Sequence, residues 1–547
     1  MKKASDLFVE CLLEEGVEHI FGMPGEENLD LLESIRNSPI RFILTRHEQA
    51  AAFMAATYGR LTGKAGVVLS TLGPGATNLV TGIAFAQLGG MPLVAITGQK
   101  PIKKSKQGQF QIIDVVGMMK PITKMTERIM SAERIPSLVR QAFKCAEDER
   151  PGAVHLEFPE DIAVEISDRS PFPRINVRRP GPDPKAIEMA RQCIEAARHP
   201  LLLIAGGANR KLIRNNLESF IEKTHIPFVT TQMGKGVIDE RSPYYLGTTA
   251  LSEHDIVHCA IDQSDLVISI GHDVLEKPPA LFSSQERKIL HINFSPAIID
   301  DVYAPSHEVV GDISHTLWLL TEVVTPQVEW DFSATRKIGV KIRELFEGGS
   351  NFSDFPLKPQ RFVADLRAVL PIDSIISLDN GMYKIWIARH YPAYEQNTVL
   401  LDNALATMGA GLPNAIAAKL VHPSRSVVAL CGDGGFMMNS QELETAMRLG
   451  IDLVVIIVRD DGLGMIKWKQ DSSGFNTFGL DFTNPDFVTY AESYGAQGFR
   501  VSSADEFKSI LRNCIGKKGV HLIDCPIDYS ENVKVFTDEV ASRICDV

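Results

Sequence analysis

Three observations predict an α/β chain built as three doubly wound domains of parallel sheet. Short apolar runs rich in β-branched residues alternate with amphipathic stretches along the chain, the pattern of strand–helix–strand units. Glycines and acids cluster directly after those runs, at the strand ends where open α/β sheets bind ligands. Two proline-containing polar stretches, at about 166–185 and 341–360, interrupt the pattern. They set the expected domains at 1–165, 186–340 and 356–547, in line with the length of 547 residues.

In the first domain, residues 4–15 read as an amphipathic helix with Leu7, Phe8, Cys11 and Leu12 on its apolar side. Strands are predicted at 17–21, 40–44, 66–70 and 92–97. The first is followed by the turn Gly22-Met23-Pro24-Gly25, and the third by the loop LGPGATN. Glu48 stands between the second strand and a helix that Gly63 stops. An acid there serves equally well as a helix N-terminal residue favoured by the dipole. Residues 105–111 are hydrophilic and read as a surface loop, and Lys103, Lys104 and Lys106 as a solvated charge cluster.

The middle domain repeats the pattern. Its apolar strands at 200–205, 226–230, 266–270 and 288–292 end in Gly206-Gly207, Thr231 to Gly236, Gly271-His272 and Asn293. No GxGxxG stands cleanly after a strand, so a nucleotide site is not indicated by motif. His254, His258 and His272 do not make a zinc set by spacing.

In the third domain a strand at 374–378 ends in Asp379 and Asn380, and ALATMGAG follows at 404–411. A buried strand at 427–431 then runs into Gly432-Asp433-Gly434-Gly435. Leu443, Ala446 and Met447 line one face of a helix from Ser440, with Glu442 and Glu444 in its first turn and Gly450 at its end. A second buried strand at 453–458 is followed by Asp460, Asp461 and Gly462. A right-handed crossover lays those two strands parallel, so Asp433 and Asp460 are expected at neighbouring strand ends. Two carboxylates beside exposed backbone suit a hard cation that keeps phosphate oxygens in its shell, as Mg²⁺ does. The plain alternative is two acidic turns.

This stretch resembles the diphosphate-binding motif of thiamine-diphosphate (ThDP) enzymes: GDG, then a second ligand 27 residues after the first Asp. The resemblance runs over nearly the whole chain and is nearest to the acetolactate synthases, within them the catabolic kind. It implies two ThDP-binding domains flanking a Rossmann-like middle domain. It implies Asp433, Asp460 and the Gly462 carbonyl as Mg²⁺ ligands, and places Gly25, Gly432, Gly434, Gly435, Leu463, Gly464 and Met465 around the cofactor. Glu48, within RHE-x-x-A-A-F-M-A, would bond the aminopyrimidine nitrogen and be buried enough to exchange a proton. Met408 would prop the cofactor and the Ala406 carbonyl would accept from its amino group. Phe110 and Gln111, followed by VVGMMKPITK, resemble the substrate-facing stretch of the synthases. Ile466 and Lys469 would line the substrate pocket, although Lys469 matches neither the biosynthetic nor the catabolic pattern and either meets a carboxylate or faces solvent. Residues 471–485 read as a cover over the site.

The implied reaction joins two pyruvates into 2-acetolactate and CO₂. A non-oxidative 2-oxoacid decarboxylase or another ThDP carboligase is the alternative. The decarboxylases carry paired histidines in the first domain, and here no histidine lies between His47 and His155. FAD binds the middle domain of some relatives. LGTTA at 246–250 departs from the biosynthetic stretch, so FAD is possible but not expected to be required. By analogy Glu48 and the two aspartates come from different subunits, implying a homodimer or homotetramer.

Composition sets the class. With 56 basic against 68 acidic residues and a charge of −12, no general nucleic-acid surface is expected. Eight scattered cysteines without a CxxC read as reduced thiols. The N-terminus is not a signal peptide, and no apolar run of about 18 residues exists to span a membrane. A cytoplasmic enzyme is expected.

Overall fold

The computed structural model describes residues 1–103, 108–175, 179–210, 213–251, 255–276 and 287–538. Strand β1 (Lys2–Lys3) pairs antiparallel with β8 (Ile166–Ser167). Every other strand lies in one of three six-stranded parallel sheets.

The first sheet contains β2 (His19–Gly22), β3 (Arg41–Leu44), β4 (Gly66–Ser70), β5 (Leu93–Gln99), β6 (Met125–Arg128) and β7 (Ala153–Pro159), in spatial order β3-β2-β4-β5-β7-β6. The second contains β9 (Pro200–Ile204), β10 (Phe228–Thr231), β11 (Tyr245–Thr249), β12 (Leu266–Ile270), β13 (Lys288–Asn293) and β14 (His307–Val310), in order β11-β10-β9-β12-β13-β14. The third contains β15 (Ile375–Leu378), β16 (Val399–Leu400), β17 (Val427–Gly432), β18 (Leu453–Arg459), β19 (Gln497–Arg500) and β20 (Val520–Pro526), in order β16-β15-β17-β18-β20-β19.

The first and third sheets share one strand order, with the opening strand between the second and the third. In the middle sheet the opening strand lies between the second and the fourth. Each sheet has a crevice where the chain leaves neighbouring strands in opposite directions: between β2 and β4, β9 and β12, and β15 and β17. Crevices at such points take ligands. The central strands are near-continuous apolar runs because parallel sheets are covered on both faces. Val67, Val68, Leu202, Ile268, Val428 and Ile456 are all fully inaccessible.

By contact the chain forms two compact units. One holds Met1–Val177, Leu405–Pro423 and Asn439–Ile451; the other holds the remainder, with the second and third sheets. In the first unit the helix Gly411–Val421 packs on the helix Glu48–Thr62.

Some local expectations change. The glycine cluster after β17 forms the first turn of a helix, Asp433–Asn439, and the following helix starts at Glu442 rather than at Ser440. Glu442 is buried. Met408 lies in irregular backbone. Lys103 is exposed, as expected, and pairs with Glu165 at the surface; Lys104 and Lys106, like His254, fall outside the described residues. Cys11, Cys145, Cys193, Cys431, Cys514 and Cys525 are free thiols, whereas Cys259 is disulfide-bonded, against the expectation of reduced cysteines throughout. No described helix is long and apolar enough to cross a membrane.

Candidate active site

Two half-sites stand at these crevices of the first and third sheets, one in each compact unit. In the first unit, Glu48 opens its helix directly after His47, whose Nδ1 accepts from the Gln49 N–H at 3.0 Å. Glu48 Oε2 accepts from Asn78 Nδ2 at 3.0 Å. The carboxylate is half-buried, less enclosed than the sequence implied. The backbone of the β4 loop comes right up to it. A Cβ on Gly75 would lie 2.5 Å from Ser70 Oγ and 3.3 Å from Glu48 Oε1, so only glycine leaves room there. Gly25 is held in the same way, its Cβ position 2.3 Å from Thr71 Cβ.

Gln111 comes to this loop, its carbonyl oxygen 2.9 Å from the Cβ position of Gly73. Its φ is +59°, and that of Ala406 is +54°. Non-glycine residues in this region are uncommon and are kept where surroundings over-determine them, often at functional sites. Phe110 is largely exposed. Met408 is half-buried in the segment that Asn439 holds. Asn439 Nδ2 donates to the Gly409 carbonyl at 2.8 Å and to Gln49 Oε1 at 3.1 Å. Asn439 and Asn78 were not read from sequence, because single asparagines in a helix carry no spacing signal.

In the second unit, parallel pairing sets Gly432 opposite Val458, so Asp433 and Asp460 leave neighbouring strands side by side as expected. Asp433 Oδ1 accepts from the Gly434 N–H at 2.8 Å; Oδ2 accepts from the Asp461 N–H at 2.8 Å and from Asn484 Nδ2 at 2.9 Å. Burial raises the Asp433 carboxyl above its ordinary value. Burial and then the Asp433 charge push Asp460 up to about 7. Two like charges held together out of water favour a cation between them. Asp461 has φ +55°, in the same left-handed region.

The adjoining backbone is similarly close. A Cβ on Gly435 would lie 2.6 Å from Asp379 Oδ2, and one on Gly464 would lie 2.3 Å from Asp460 Oδ2. Leu463 caps the helix Gly464–Ser472 through its carbonyl, which accepts from the Ile466 N–H at 2.9 Å. Met465 packs on the core beside Trp468. Ile466 is about half-exposed. Lys469 is exposed, its Nζ 4.4 Å above the Trp468 ring centroid. The segment after this helix is pinned by the Gln470 side chain, which donates to the Phe478 carbonyl and accepts from the Phe478 N–H, both at 3.2 Å.

The donor set fits a hard cation bearing phosphate: the carboxylates of Asp433 and Asp460 and glycines that leave space. Among the described residues no group of three His, Cys, Asp or Glu side chains could hold a metal by itself, so part of the shell must be backbone, ligand or water.

The crevice of the middle sheet is different. Glu276 is buried there and accepts from the Gly206 N–H at 3.0 and 3.2 Å and from Thr231 Oγ1 at 2.6 Å. Burial pushes its carboxyl up to about 7. The backbone donor at the glycine turn is thus already taken by an acid of this chain. This arrangement does not fit the diphosphate of a dinucleotide.

Comparison with known proteins gives the family of each domain. "Thiamine pyrophosphate enzyme, N-terminal TPP binding domain" matches residues 2–118, the central domain of the same enzymes 187–320, and the C-terminal TPP binding domain 379–525. An acetolactate synthase of Bacillus subtilis (strain 168) is 33% identical over 546 residues, covering 98% of this chain and 95% of that one. A catabolic acetolactate synthase of Raoultella terrigena is 35% identical over 539 residues, covering 96% and 95%. A probable acetolactate synthase large subunit of Methanocaldococcus jannaschii is 36% identical over 547 residues, covering 97% and 92%.

Proposed function

The chain belongs to the thiamine-diphosphate-dependent enzymes of the acetolactate synthase family, and from that premise we propose that it condenses two molecules of pyruvate into 2-acetolactate. The C1–C2 bond of the first pyruvate breaks and CO₂ leaves. A new bond joins its C2 to the carbonyl carbon of the second, whose oxygen takes up a proton. Bound ThDP, anchored through Mg²⁺, supplies the electron sink for the carbon–carbon steps.

The chain's own groups have separable tasks. Asp433 and Asp460, with the Gly462 carbonyl, hold the cation and so fix the diphosphate end. Glu48, oriented by Asn78, exchanges a proton with the aminopyrimidine ring. Met408 and the Ala406 carbonyl hold the ring's angle and its amino group. Gln111 offers a neutral amide to a substrate oxygen.

One observation carries the choice of ligation over simple decarboxylation. Carbon–carbon bond formation requires that the nucleophilic carbon not be protonated first. No histidine lies between His47 and His155, and the residue brought to the Glu48 loop is the amide Gln111. The reading includes a dimer or tetramer in which Glu48 of one subunit serves the aspartates of another. It includes no flavin requirement, on the ground of Glu276 at the glycine turn.

Product analysis tests it: flavin-free protein with ThDP, Mg²⁺ and pyruvate should give acetolactate, with acetaldehyde minor. Acetaldehyde as the main product would replace the synthase reading with the decarboxylase. An absolute need for added FAD would overturn the reading of the middle domain as flavin-independent.

A further inference from the structure

Away from both half-sites, a cavity of about 610 Å³ lies between β11, the helices Ser333–Glu347 and Pro359–Val369, and the end of the helix Met382–His390. That volume is in the range of small-molecule sites. Leu246, Ile342, Val363 and Ala364 form the apolar part of its walls. Its cations are mostly committed. Lys235 pairs with Glu240 at 2.8 Å and Arg389 with Asp255 at 2.8 Å, both pairs buried. Arg241 pairs with Asp239 at 2.5 Å, and Arg367 donates to Tyr391 Oη at 2.6 Å.

Arg343 is the exception. It lines the cavity and, among the described residues, has no carboxylate or other acceptor. Its Nη1 lies 3.7 Å from the Cβ position of Gly339, and that same position is 2.9 Å from Leu246 Cδ2. The missing side chain at Gly339 thus leaves the guanidinium next to the apolar wall. Nearby, Gln360 Oε1 is buried with no hydrogen-bond partner. Arg343 is exposed, and a guanidinium with no protein partner beside apolar walls is free to take a ligand carboxylate.

We propose that this cavity is a binding site for an organic carboxylate with an apolar body of aryl or medium-chain alkyl size, its carboxylate on Arg343 and its body against Leu246, Ile342 and Val363. The site is separate from the cofactor crevice but joined to it by one element. The helix Met382–His390 begins just after Asp379, whose carboxylate abuts Gly435, and ends at the cavity. Nine residues of helix span about 13 Å.

Calorimetry with 2-naphthoate as the probe, on the full chain without substrate, tests the proposal independently of the catalytic reading. The expected result is one saturable site per chain. Arg343→Gln should weaken it about tenfold, the scale of losing a charged hydrogen bond. The neutral 2-naphthamide should bind the parent as weakly as the acid binds that variant. Ala364→Trp, which fills the cavity, should abolish binding. Unchanged ThDP affinity in both variants serves as the control for folding. Absence of saturable binding, or equal binding by the parent and both variants, overturns the proposal; the second result would put the probe on another apolar surface.

Discussion

Asn484 donates from one side-chain nitrogen to Asp433 Oδ2 and to Asp461 Oδ1, both at 2.9 Å. It thereby ties the irregular segment after the helix Gly464–Ser472 to the acidic turn. The Asp433 carboxylate is oriented by this amide and by two backbone N–H groups, so its position is set before any cation arrives. Partners that orient ligands are typically worth about 10- to 100-fold in metal affinity. Asn484→Ala should weaken Mg²⁺-dependent ThDP binding by that order, and Asp433→Ala should remove it at low Mg²⁺. Calorimetric titration of ThDP at several Mg²⁺ concentrations checks both. Parent-like affinity in Asp433→Ala would sink the metal assignment.

Glu48→Gln should fold and still bind cofactor, being nearly isosteric. It should slow exchange of the ThDP C2 proton by about 10²–10⁴-fold, the usual contribution of an acid–base group. Asn78→Ala removes only the hydrogen bond that orients Oε2, so its effect should be smaller, about tenfold on the same scale. Deuterium exchange followed by NMR measures both, and an undiminished rate in Glu48→Gln would mean that another group activates the ring.

Glu442 gives the protein a defined pH response. Burial pushes its carboxyl up to about 7 from 4.5, despite hydrogen bonds from Thr445 Oγ1 and from the Arg46 N–H. Between those values the folded chain holds a proton that the unfolded chain releases. Stability from this group is therefore full below the unfolded value, falls as pH rises through the window, and levels off above the folded value. The loss is up to about 3 kcal/mol, at about 1.4 kcal/mol per unit. Urea midpoints at pH 5 and pH 8 should differ less in Glu442→Gln than in the parent. An identical difference in both would remove Glu442 as the cause.

Lys235 and Glu240 are paired almost without solvent contact, and Glu240 Oε2 also accepts from the Ala393 N–H at 2.8 Å. Removing one partner strands the other charge. Lys235→Met should destabilise by about 3–5 kcal/mol, and the double change with Glu240→Leu should recover most of that. Thermal unfolding of the two single variants and the double variant checks this. A double variant no better than Lys235→Met alone would show that the pair is not the source of the loss.

Sequence alone determined the layers and the third-domain turn. Alternation of apolar runs and amphipathic stretches needs only nearest-neighbour information, and the acids after β17 and β18 follow from right-handed crossover. The residues that hold those acids were not legible. Asn484 sits in a polar stretch whose composition suits any surface loop. Glu442 occupies a first-turn position that a solvated acid fills equally well, and only its packing shows it to be buried. Glu276 reads as one more charged residue, yet its carboxylate takes the backbone donor at the middle sheet's glycine turn. Such contacts join positions dozens to hundreds of residues apart, so no local pattern encodes them. Local chemistry fixed which strand ends carry acids and glycines. Tertiary structure decided which side chains reach back to those ends, because burial and long-range hydrogen bonding exist only once the sheets have formed.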